Sequence, residues 1–127
     1  MIISRSSERK LKIVFSNGRN EGIADAIEEH GGKGEGFRPH DLLEAALATC
    51  LNMAIQMNAE NLNIPLSQVT TTVNLDRSSP MDTVFKYSID LGDGLTSEQR
   101  EQLLGQGKTC AVRQTLMRDI SFVQVDK

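Results

Sequence analysis

Two cysteines, Cys50 and Cys110, are the residues of this 127-residue chain that are best suited to covalent chemistry. A thiolate is a nucleophile and a metal ligand, and two thiols can form a disulfide. Neither cysteine has a second potential ligand at helical or turn spacing, which argues against zinc. Residues 1–10 are short, polar and charged, so we expect no secretory signal and a reducing, cytoplasmic location. A permanent structural disulfide is disfavoured there, which favours free thiols or a redox couple.

The local sequence predicts different reactivity for the two thiols. On a helical wheel Cys50 lies on an apolar face, roughly opposite a polar stripe of Thr49, Asn52 and Gln56. A thiol in such surroundings has a raised pKa and is inert unless a cation reaches it. Cys110 begins a short helix and has the better local field. An active site at Cys50 must therefore be assembled from other parts of the fold, with a second chain as the favoured source.

A long apolar helix is the element that must position Cys50. It begins at Pro39, a residue suited to a first turn, and ends near residues 61–63, ahead of Pro65. Because the helix is apolar around most of its circumference, it must be covered by a sheet, other helices or a second copy of the chain. Met53 and Met57 are expected to fill the core, although a flexible apolar wall would also suit an alkyl hydroperoxide.

The other segments predict strands and short helices, and hence an α+β fold in one domain, residues 1–127. Ile23 and Ile27 are the expected inward residues of the second strand, and the glycine-rich segment 31–36 is a loop rather than a phosphate-binding motif. The predicted elements are a hairpin of strands 10–15 and 22–29, a hairpin of strands 67–77 and 84–91, a helix from Thr96 or Ser97 to Leu104, a helix capped by Thr109, and a closing strand 120–125.

Charge and hydropathy exclude two classes of partner. With 14 Lys and Arg against 17 Asp and Glu, the chain has a net charge of -3 and few aromatics, which gives no reason to expect nucleic acid binding. Polar residues interrupt every apolar run before the roughly 18 residues that a membrane span requires. The sequence therefore predicts neither a nucleic-acid-binding nor a membrane protein.

Two motifs resemble those of the OsmC/Ohr family, the osmotically inducible and organic hydroperoxide resistance proteins. Residues 36–50, GFRPHDLLEAALATC, are similar to the family helix P-x-E-L-L-x-x-A-L-x-x-C, and residues 110–116, CAVRQTL, are similar to its second motif, C-P-V-x-x-T-L. The resemblance covers roughly residues 13–125. It implies antiparallel β-sheets wrapped around a long central helix in an intertwined homodimer.

The resemblance also implies an activity. Cys50 would be the peroxidatic thiol and Cys110 the resolving thiol of a peroxidase that reduces organic hydroperoxides in oxidative stress defence. No metal, haem or other cofactor is implied, and an external thiol or a lipoyl-type donor would reduce the Cys50–Cys110 disulfide. The alternative is a non-catalytic protein of the same fold that binds a small hydrophobic or thiol ligand in the dimer groove.

Family members place an activating arginine early in the chain, and an acidic residue orients it. Arg19, in the turn NGRNEG, resembles the arginine of the family's G-G-R-D-G turn, with Arg38 and Arg113 as alternatives. The hydroperoxide resistance branch has a glutamate directly after the helix-opening proline, where this chain has His40. Asp41 corresponds to the acidic position of the other branches. The resemblance thus implies a catalytic set of Cys50, Cys110, Arg19 and Asp41.

Overall fold

The computed structural model describes residues 1–126, apart from the side chain of Gln106. The fold is α+β, with an antiparallel three-stranded sheet in the order β1-β2-β3 and an antiparallel β4-β5 hairpin. The chain divides into two compact units, residues 1–43 and a second beginning at Glu44. The single-domain organisation stays a prediction. The elements are β1 (Ile3–Ser6), β2 (Ile13–Ser16), β3 (Glu21–Ala24), α1 (Pro39–Asn61), β4 (Thr70–Asp76), β5 (Val84–Asp90), α2 (Ser97–Gly105) and α3 (Ala111–Leu116).

The hairpin expected near the N-terminus is confirmed as β2 and β3, which pair antiparallel. The sequence did not predict β1, which pairs with β2. The second predicted strand was too long, because β3 ends at Ala24 and a 3-10 turn occupies Glu28–His30. The expectation that Ile23 points inward is also wrong, since 39% of this residue is exposed and the buried residue is Ala24.

A buried carboxylate organises the glycine-rich loop of the first unit. Asp25 is 2% exposed, and its Oδ2 accepts a 2.5 Å bond from Nη2 of Arg9. The same oxygen accepts the backbone N–H groups of Lys33 at 3.3 Å and Glu35 at 3.0 Å. The hydrogen bond from the Arg9 side chain is the main reason why the pKa of Asp25 lies far below its ordinary value. The loop that the sequence predicts at residues 31–36 is therefore tied to a buried ion pair.

Helix α1 spans 23 residues and confirms the predicted start at Pro39 and end near residue 61. Its buried residues are spaced four apart, which gives a single buried stripe. The prediction that Met53 and Met57 fill the core is wrong in the single chain, because 62% and 63% of these residues are exposed. The buried residues of α1 are Leu47, Leu51, Ile55 and Ala59.

Two side-chain hydrogen bonds join helix α1 to the segment around the start of strand β4. The Asn52 side chain donates to the Val69 carbonyl at 3.0 Å, and the Thr71 hydroxyl donates to the Ala48 carbonyl at 2.8 Å. Gln56 in turn donates to the Asn52 side chain at 2.5 Å. Asn52, a polar residue of a mostly apolar helix, thus bonds the helix to the backbone at the start of β4.

The hairpin of β4 and β5 follows the alternation that the sequence predicts. Odd-numbered residues of β4 are half-buried and even-numbered ones are exposed up to Asn74. The core of the second unit includes Leu91 of the segment after β5 and Leu103 of α2. Thr96 is confirmed as the cap of α2: its hydroxyl accepts the Gln99 N–H at 3.1 Å, and the Gln99 side chain accepts the Thr96 N–H at 2.9 Å. This reciprocal pair is a capping box.

The last part of the chain differs from the prediction in two places. Cys110, rather than Thr109, occupies the N-cap position of α3, and its side chain makes no capping hydrogen bond. The predicted closing strand 120–125 is wrong for the single chain, since residues 119–126 have no regular structure. A strand needs a paired neighbour for its backbone groups. Four apolar side chains there remain 59–94% exposed: Ile120, Phe122, Val123 and Val125.

None of the helices within residues 1–126 combines the length and the apolar character that crossing a membrane requires.

Candidate active site

The two cysteines lie next to each other in the second unit, although 60 positions separate them in the sequence. Cys110 belongs to a buried cluster with Leu47 and Leu51, and Cys50 packs against that cluster. Both are free thiols. Cys110 is 1% exposed, whereas Cys50 is only half-buried. The more accessible thiol is therefore the one on the long helix.

The pKa of the Cys50 thiol lies below its ordinary value. Burial disfavours the charged thiolate and by itself would raise the pKa. The Cys110 thiol and the backbone N–H groups of Val112 and Ala111 favour the thiolate and outweigh burial. The prediction that the pKa of Cys50 is raised is therefore wrong, and the role of a cation at this thiol stays a prediction. The groups that lower its pKa are neutral and come from α3 of the same chain.

Cys110 shows the opposite behaviour. Burial raises the pKa of its thiol, and the neighbouring Cys50 raises it further. The expectation that Cys110 has the better local field is wrong, because a position at a helix start does not offset nearly complete burial and a competing thiol. Of the two thiols, Cys50 is therefore the one that ionises first as the pH rises.

Sequence reasoning missed the backbone N–H groups of α3. The first N–H groups of any helix lack partners within the helix, so the start of a helix after Cys110 was a sequence signal for available donors. The sequence could not show which sulfur faces them. The tertiary fold presents the donors of Ala111 and Val112 to Cys50, whose own helix offers none at that point.

Asp41 is an orienting carboxylate for an arginine, and that arginine is Arg38. The Arg38 side chain donates to Oδ1 of Asp41 from Nε at 2.9 Å and from Nη2 at 2.6 Å. The Arg38 backbone N–H donates to Oδ2 at 2.8 Å. The hydrogen bond from the Arg38 side chain is the main reason why the pKa of Asp41 lies below its ordinary value. Asp41 thus closes the first turn of α1 around a fixed guanidinium.

Arg19 lies in the turn between β2 and β3. Its backbone N–H donates to the Asn17 side chain at 2.9 Å, as does that of Asn20 at 2.8 Å. Its side chain is exposed. Arg19 and Asp41 both belong to the unit of residues 1–43, and their catalytic roles stay predictions. Arg113, the third candidate, is half-buried on α3.

Glu44 has a structural partner. Its Oε1 accepts the backbone N–H of Leu75 at 2.7 Å. This contact joins the first part of α1 to the end of β4. Glu44 lies six positions before Cys50, about 120° around the helix and about 9 Å along it, so within one chain it cannot touch that sulfur. The observed contact instead assigns Glu44 a structural role, because its carboxylate holds the backbone of β4.

No group of three or more His, Cys, Asp or Glu residues that could hold a metal ion exists among the described residues. The arrangement at Cys50 instead suits thiol chemistry. It combines an accessible sulfur with a lowered pKa, a second thiol in contact, and the exposed methionines Met53 and Met57 on the same helix.

Fold and thiols together define a class: an α+β protein with one cysteine within a long helix and a second at the start of a short one. A family model described as OsmC-like protein matches residues 32–124. The chain therefore belongs to the OsmC-like family, as its two motifs indicate. None of the curated protein sequences gives a significant match.

Solved structures with the same fold come from several bacteria. An osmotic stress induced and detoxification response protein from Psychrobacter arcticus is 26% identical, with a TM-score of 0.73 over 88% of this chain and 85% of the other. An organic hydroperoxide resistance protein OsmC from Legionella pneumophila is 20% identical, with a TM-score of 0.66 over 92% and 88%. The organic hydroperoxide resistance protein OhrB of Bacillus subtilis is 19% identical, with a TM-score of 0.60 over 92% and 89%. The last two show the fold alone.

Proposed function

We propose that this protein is a thiol peroxidase that reduces organic hydroperoxides, with Cys50 as the peroxidatic and Cys110 as the resolving cysteine. Membership of the OsmC-like family and the names of its structural neighbours suggest a role in the response to peroxides. The observation that carries the proposal is the contact between an accessible thiol of lowered pKa and a buried thiol of raised pKa. The comparisons do not favour the alternative of a non-catalytic binding protein.

The first step uses the Cys50 thiolate as nucleophile. Its sulfur attacks one peroxide oxygen of ROOH, the O–O bond breaks, and the alkoxide leaves as ROH after it takes a proton. Cys50 is oxidised to a sulfenic acid, and the peroxide is reduced by two electrons. A lowered pKa favours this step because only the thiolate attacks.

The second step uses Cys110. Its sulfur attacks the Cys50 sulfenic acid, a disulfide forms, and the hydroxyl leaves as water with the thiol proton. An external dithiol, such as a lipoyl-type donor, then supplies two electrons and two protons to restore both thiols. The packing of Cys50 against the cluster that contains Cys110 supports a resolving step without a large rearrangement.

The exposed methionines of α1 support an organic rather than an inorganic peroxide. Met53 and Met57 present flexible, polarizable side chains on the helix that carries Cys50. A wall of this kind favours an alkyl or aryl group over water. We expect cumene hydroperoxide to react about tenfold faster than hydrogen peroxide or more, since burial of an apolar group contributes on the order of a kcal/mol or more.

We also propose a homodimer in which sheets from two chains wrap the long helices. The support is apolar surface that a single chain leaves exposed, on α1 and in residues 119–126. A second copy would pair residues 120–125 as the closing strand that the sequence predicts and would cover apolar surface of α1. Light scattering after size exclusion tests this: a dimer is expected, and a stable compact monomer would contradict it.

We propose that an arginine completes the site, with Arg19 as the first candidate and Asp41 as the carboxylate that orients it. Arg38 and Arg113 are the alternatives, and the Arg38–Asp41 ion pair supports Arg38. Each arginine is changed to Ala, and the second-order rate constant for cumene hydroperoxide is measured. Loss of one catalytic cation should lower the rate constant about tenfold to a hundredfold. Three unchanged rate constants would mean that neutral donors alone activate Cys50.

The central test follows free thiols in reduced protein mixed with cumene hydroperoxide. The wild type is expected to lose two thiols per chain and form an intramolecular disulfide. Cys50→Ser should lose none, whereas Cys110→Ser should react once and stop at the sulfenic acid, which a dimedone adduct identifies by mass. An unreactive wild type, or a Cys50→Ser variant as reactive as wild type, would refute the proposal.

A further inference from the structure

Helix α1 is bonded to the segment around the start of β4 at two points, one on each side of Cys50 in the sequence. The Thr71 hydroxyl donates to the Ala48 carbonyl at 2.8 Å, and the Asn52 side chain donates to the Val69 carbonyl at 3.0 Å. Ala48 precedes Cys50 by two residues, and Asn52 follows it by two. We call this pair of hydrogen bonds the β4 clamp.

The β4 clamp lies on the side of α1 opposite the thiol. At about 100° per residue, positions 48 and 52 are each about 160° from Cys50 around the helix axis, and they are about one turn apart along it. Two contacts of this kind on one side of a helix fix both its rotation about its axis and its position along the strand. The direction in which the Cys50 side chain leaves the helix is therefore set by groups far from its sulfur.

Strand β4 also contacts the surroundings of the second thiol. Val73 lies two residues after Thr71 on the same face of the strand, because side chains alternate between faces. Val73 and Phe85, from β4 and β5, pack against the buried cluster that contains Cys110. One strand thus bonds to the helix that carries Cys50 and packs against the cluster that contains Cys110.

A small rotation of α1 would change the distance between the two thiols. A side-chain atom about 5 Å from a helix axis moves by about 2 Å when the helix turns by about 20°. A disulfide requires a narrow geometry, and a displacement of about 1 Å can lower the rate of a reaction on the order of a hundredfold. Apolar packing is non-directional and tolerates such a rotation, whereas hydrogen bonds depend on distance and angle.

We propose that Thr71 is a positioning residue: together with Asn52, it holds α1 in the rotation that directs the Cys50 side chain towards Cys110. Neither residue touches a reacting atom, so their effect is to raise the effective concentration of one thiol towards the other. The inference rests on the proposed function for the step that it serves, the resolution of the sulfenic acid. The positioning itself concerns the two thiols, whatever oxidises them.

Thiol–disulfide exchange with glutathione measures this positioning without peroxide. Glutathione disulfide oxidises the two protein thiols to one disulfide and is itself reduced to two glutathione thiols, and the equilibrium constant is the effective concentration. Thr71→Val keeps the branched shape and removes the donor. Thr72→Val, at the next and exposed position, is the matched control, and Thr71→Ser, which keeps the hydroxyl, is the rescue variant.

Thr71→Val should lower the effective concentration about threefold to tenfold, the range expected for loss of one hydrogen bond. Thr72→Val and Thr71→Ser should stay within about twofold of wild type. Asn52→Ala breaks the clamp from the helix side and should lower it at least as much, because Gln56 also loses its acceptor. Wild-type values for Thr71→Val and Asn52→Ala would overturn the inference, and so would a wild type that forms no intramolecular disulfide.

A general loss of stability gives a different pattern. Gly32→Ala strains the first unit, where the added Cβ would meet the Ala26 carbonyl, and it should lower the melting temperature without changing the effective concentration. An equal fall in effective concentration for Gly32→Ala and Thr71→Val would overturn the positioning role. Thermal melting identifies the folded variants, and Asn52→Ala decides the result if Thr71→Val does not fold.

The outcomes also distinguish this inference from the proposed function. A wild type that does not react with cumene hydroperoxide, combined with a lowered effective concentration in Thr71→Val, would refute the peroxidase and leave the positioning role standing. A reactive wild type whose effective concentration equals those of Thr71→Val and Asn52→Ala would do the reverse.

Discussion

Two sites in the protein stabilise an anionic side chain in different ways. One is the carboxylate of Asp25, and the other is the thiol pair of Cys50 and Cys110. In both, donors from other segments stabilise an anion and lower its pKa. Asp25 receives a bidentate guanidinium and two backbone N–H groups, and its side chain is fully buried. Cys50 receives weaker, neutral donors and stays half-buried.

The two sites differ in the number of donors and in accessibility, and these two properties distinguish a structural anion from one suited to react. Asp25 is saturated with donors and inaccessible, so its charge can only hold the loop of residues 31–36 in place. Cys50 is half-buried with fewer and weaker donors, which is the setting that the proposed nucleophile requires. The number of donors and the accessibility of the anion, rather than the lowered pKa alone, separate the two centres.

Removal of the Asp25 carboxylate is expected to have the largest effect on stability. Asp25→Ala leaves the Arg9 guanidinium and two loop N–H groups without their partner, so the melting temperature should fall by about 10 °C or more. Glu35→Ala is the matched control, because its carboxylate is 47% exposed and bonds to Lys12 at 3.1 Å and to the same Arg9 at 3.5 Å. A fall in melting temperature for Glu35→Ala as large as that for Asp25→Ala would contradict the distinction between buried and exposed carboxylates.

The same methyl group added in the two regions should have unequal effects. In Gly32→Ala the new Cβ would lie 1.9 Å from the Ala26 carbonyl oxygen, so the backbone beside Asp25 must shift. In Gly107→Ala, near the cysteine cluster, the nearest atoms are 3.6 Å and 3.7 Å away, at Ile89 and Leu51. We expect Gly32→Ala to lower the melting temperature by about 5 °C or more and Gly107→Ala by less than half as much.

Equal melting temperatures for Gly32→Ala and Gly107→Ala would show that the loop around Asp25 is no more tightly packed than the segment that leads into α3. Thermal unfolding in one buffer is sufficient, since neither change alters charge.

Acid should act on the Asp25 centre before it affects the thiol pair. The pKa of folded Asp25 lies below its ordinary value of 3.8, so its contribution to stability is fully present above that value and is lost as the pH falls towards the folded pKa. Between about pH 5 and pH 2, wild-type stability should therefore fall more steeply than that of Asp25→Asn. Asp41, Asp76 and Glu35 also have lowered pKa values and contribute to both slopes.

Denaturant unfolding at several pH values measures this difference. Parallel curves for wild type and Asp25→Asn would mean that the unfolded chain holds Asp25 at the same pKa as the folded one.

The smallest effect is expected from an exposed ion pair. The Lys86 side chain, 64% exposed, bonds to Asp76 at 2.7 Å and is the main reason why the pKa of Asp76 lies far below its ordinary value. Exposed pairs of this kind contribute little, so Lys86→Ala should change the melting temperature by less than about 2 °C. A fall in melting temperature for Lys86→Ala comparable to that for Asp25→Ala would mean that a lowered pKa alone, without burial, predicts stability.

The sequence by itself determined the elements whose signals are local. Pro39 and the apolar spacing after it set the start and length of α1, the alternation of residues 69–75 set β4, and Thr96 with Gln99 set the cap of α2. The two cysteine motifs also identified the family. Periodicity and capping depend on neighbours within a few positions, which the sequence contains in full.

Only the tertiary structure decided the chemistry at Cys50. Local surroundings predicted a raised pKa for Cys50 and a better field for Cys110, and the fold reversed the order of the two pKa values, because donors to Cys50 come from α3, about 60 positions away. It also showed that Asp41 holds Arg38 and that Asp25 holds the glycine-rich loop. A pKa depends on which charges, dipoles and apolar groups meet in space, and long-range contacts of that kind are not encoded in the spacing of residues along the chain.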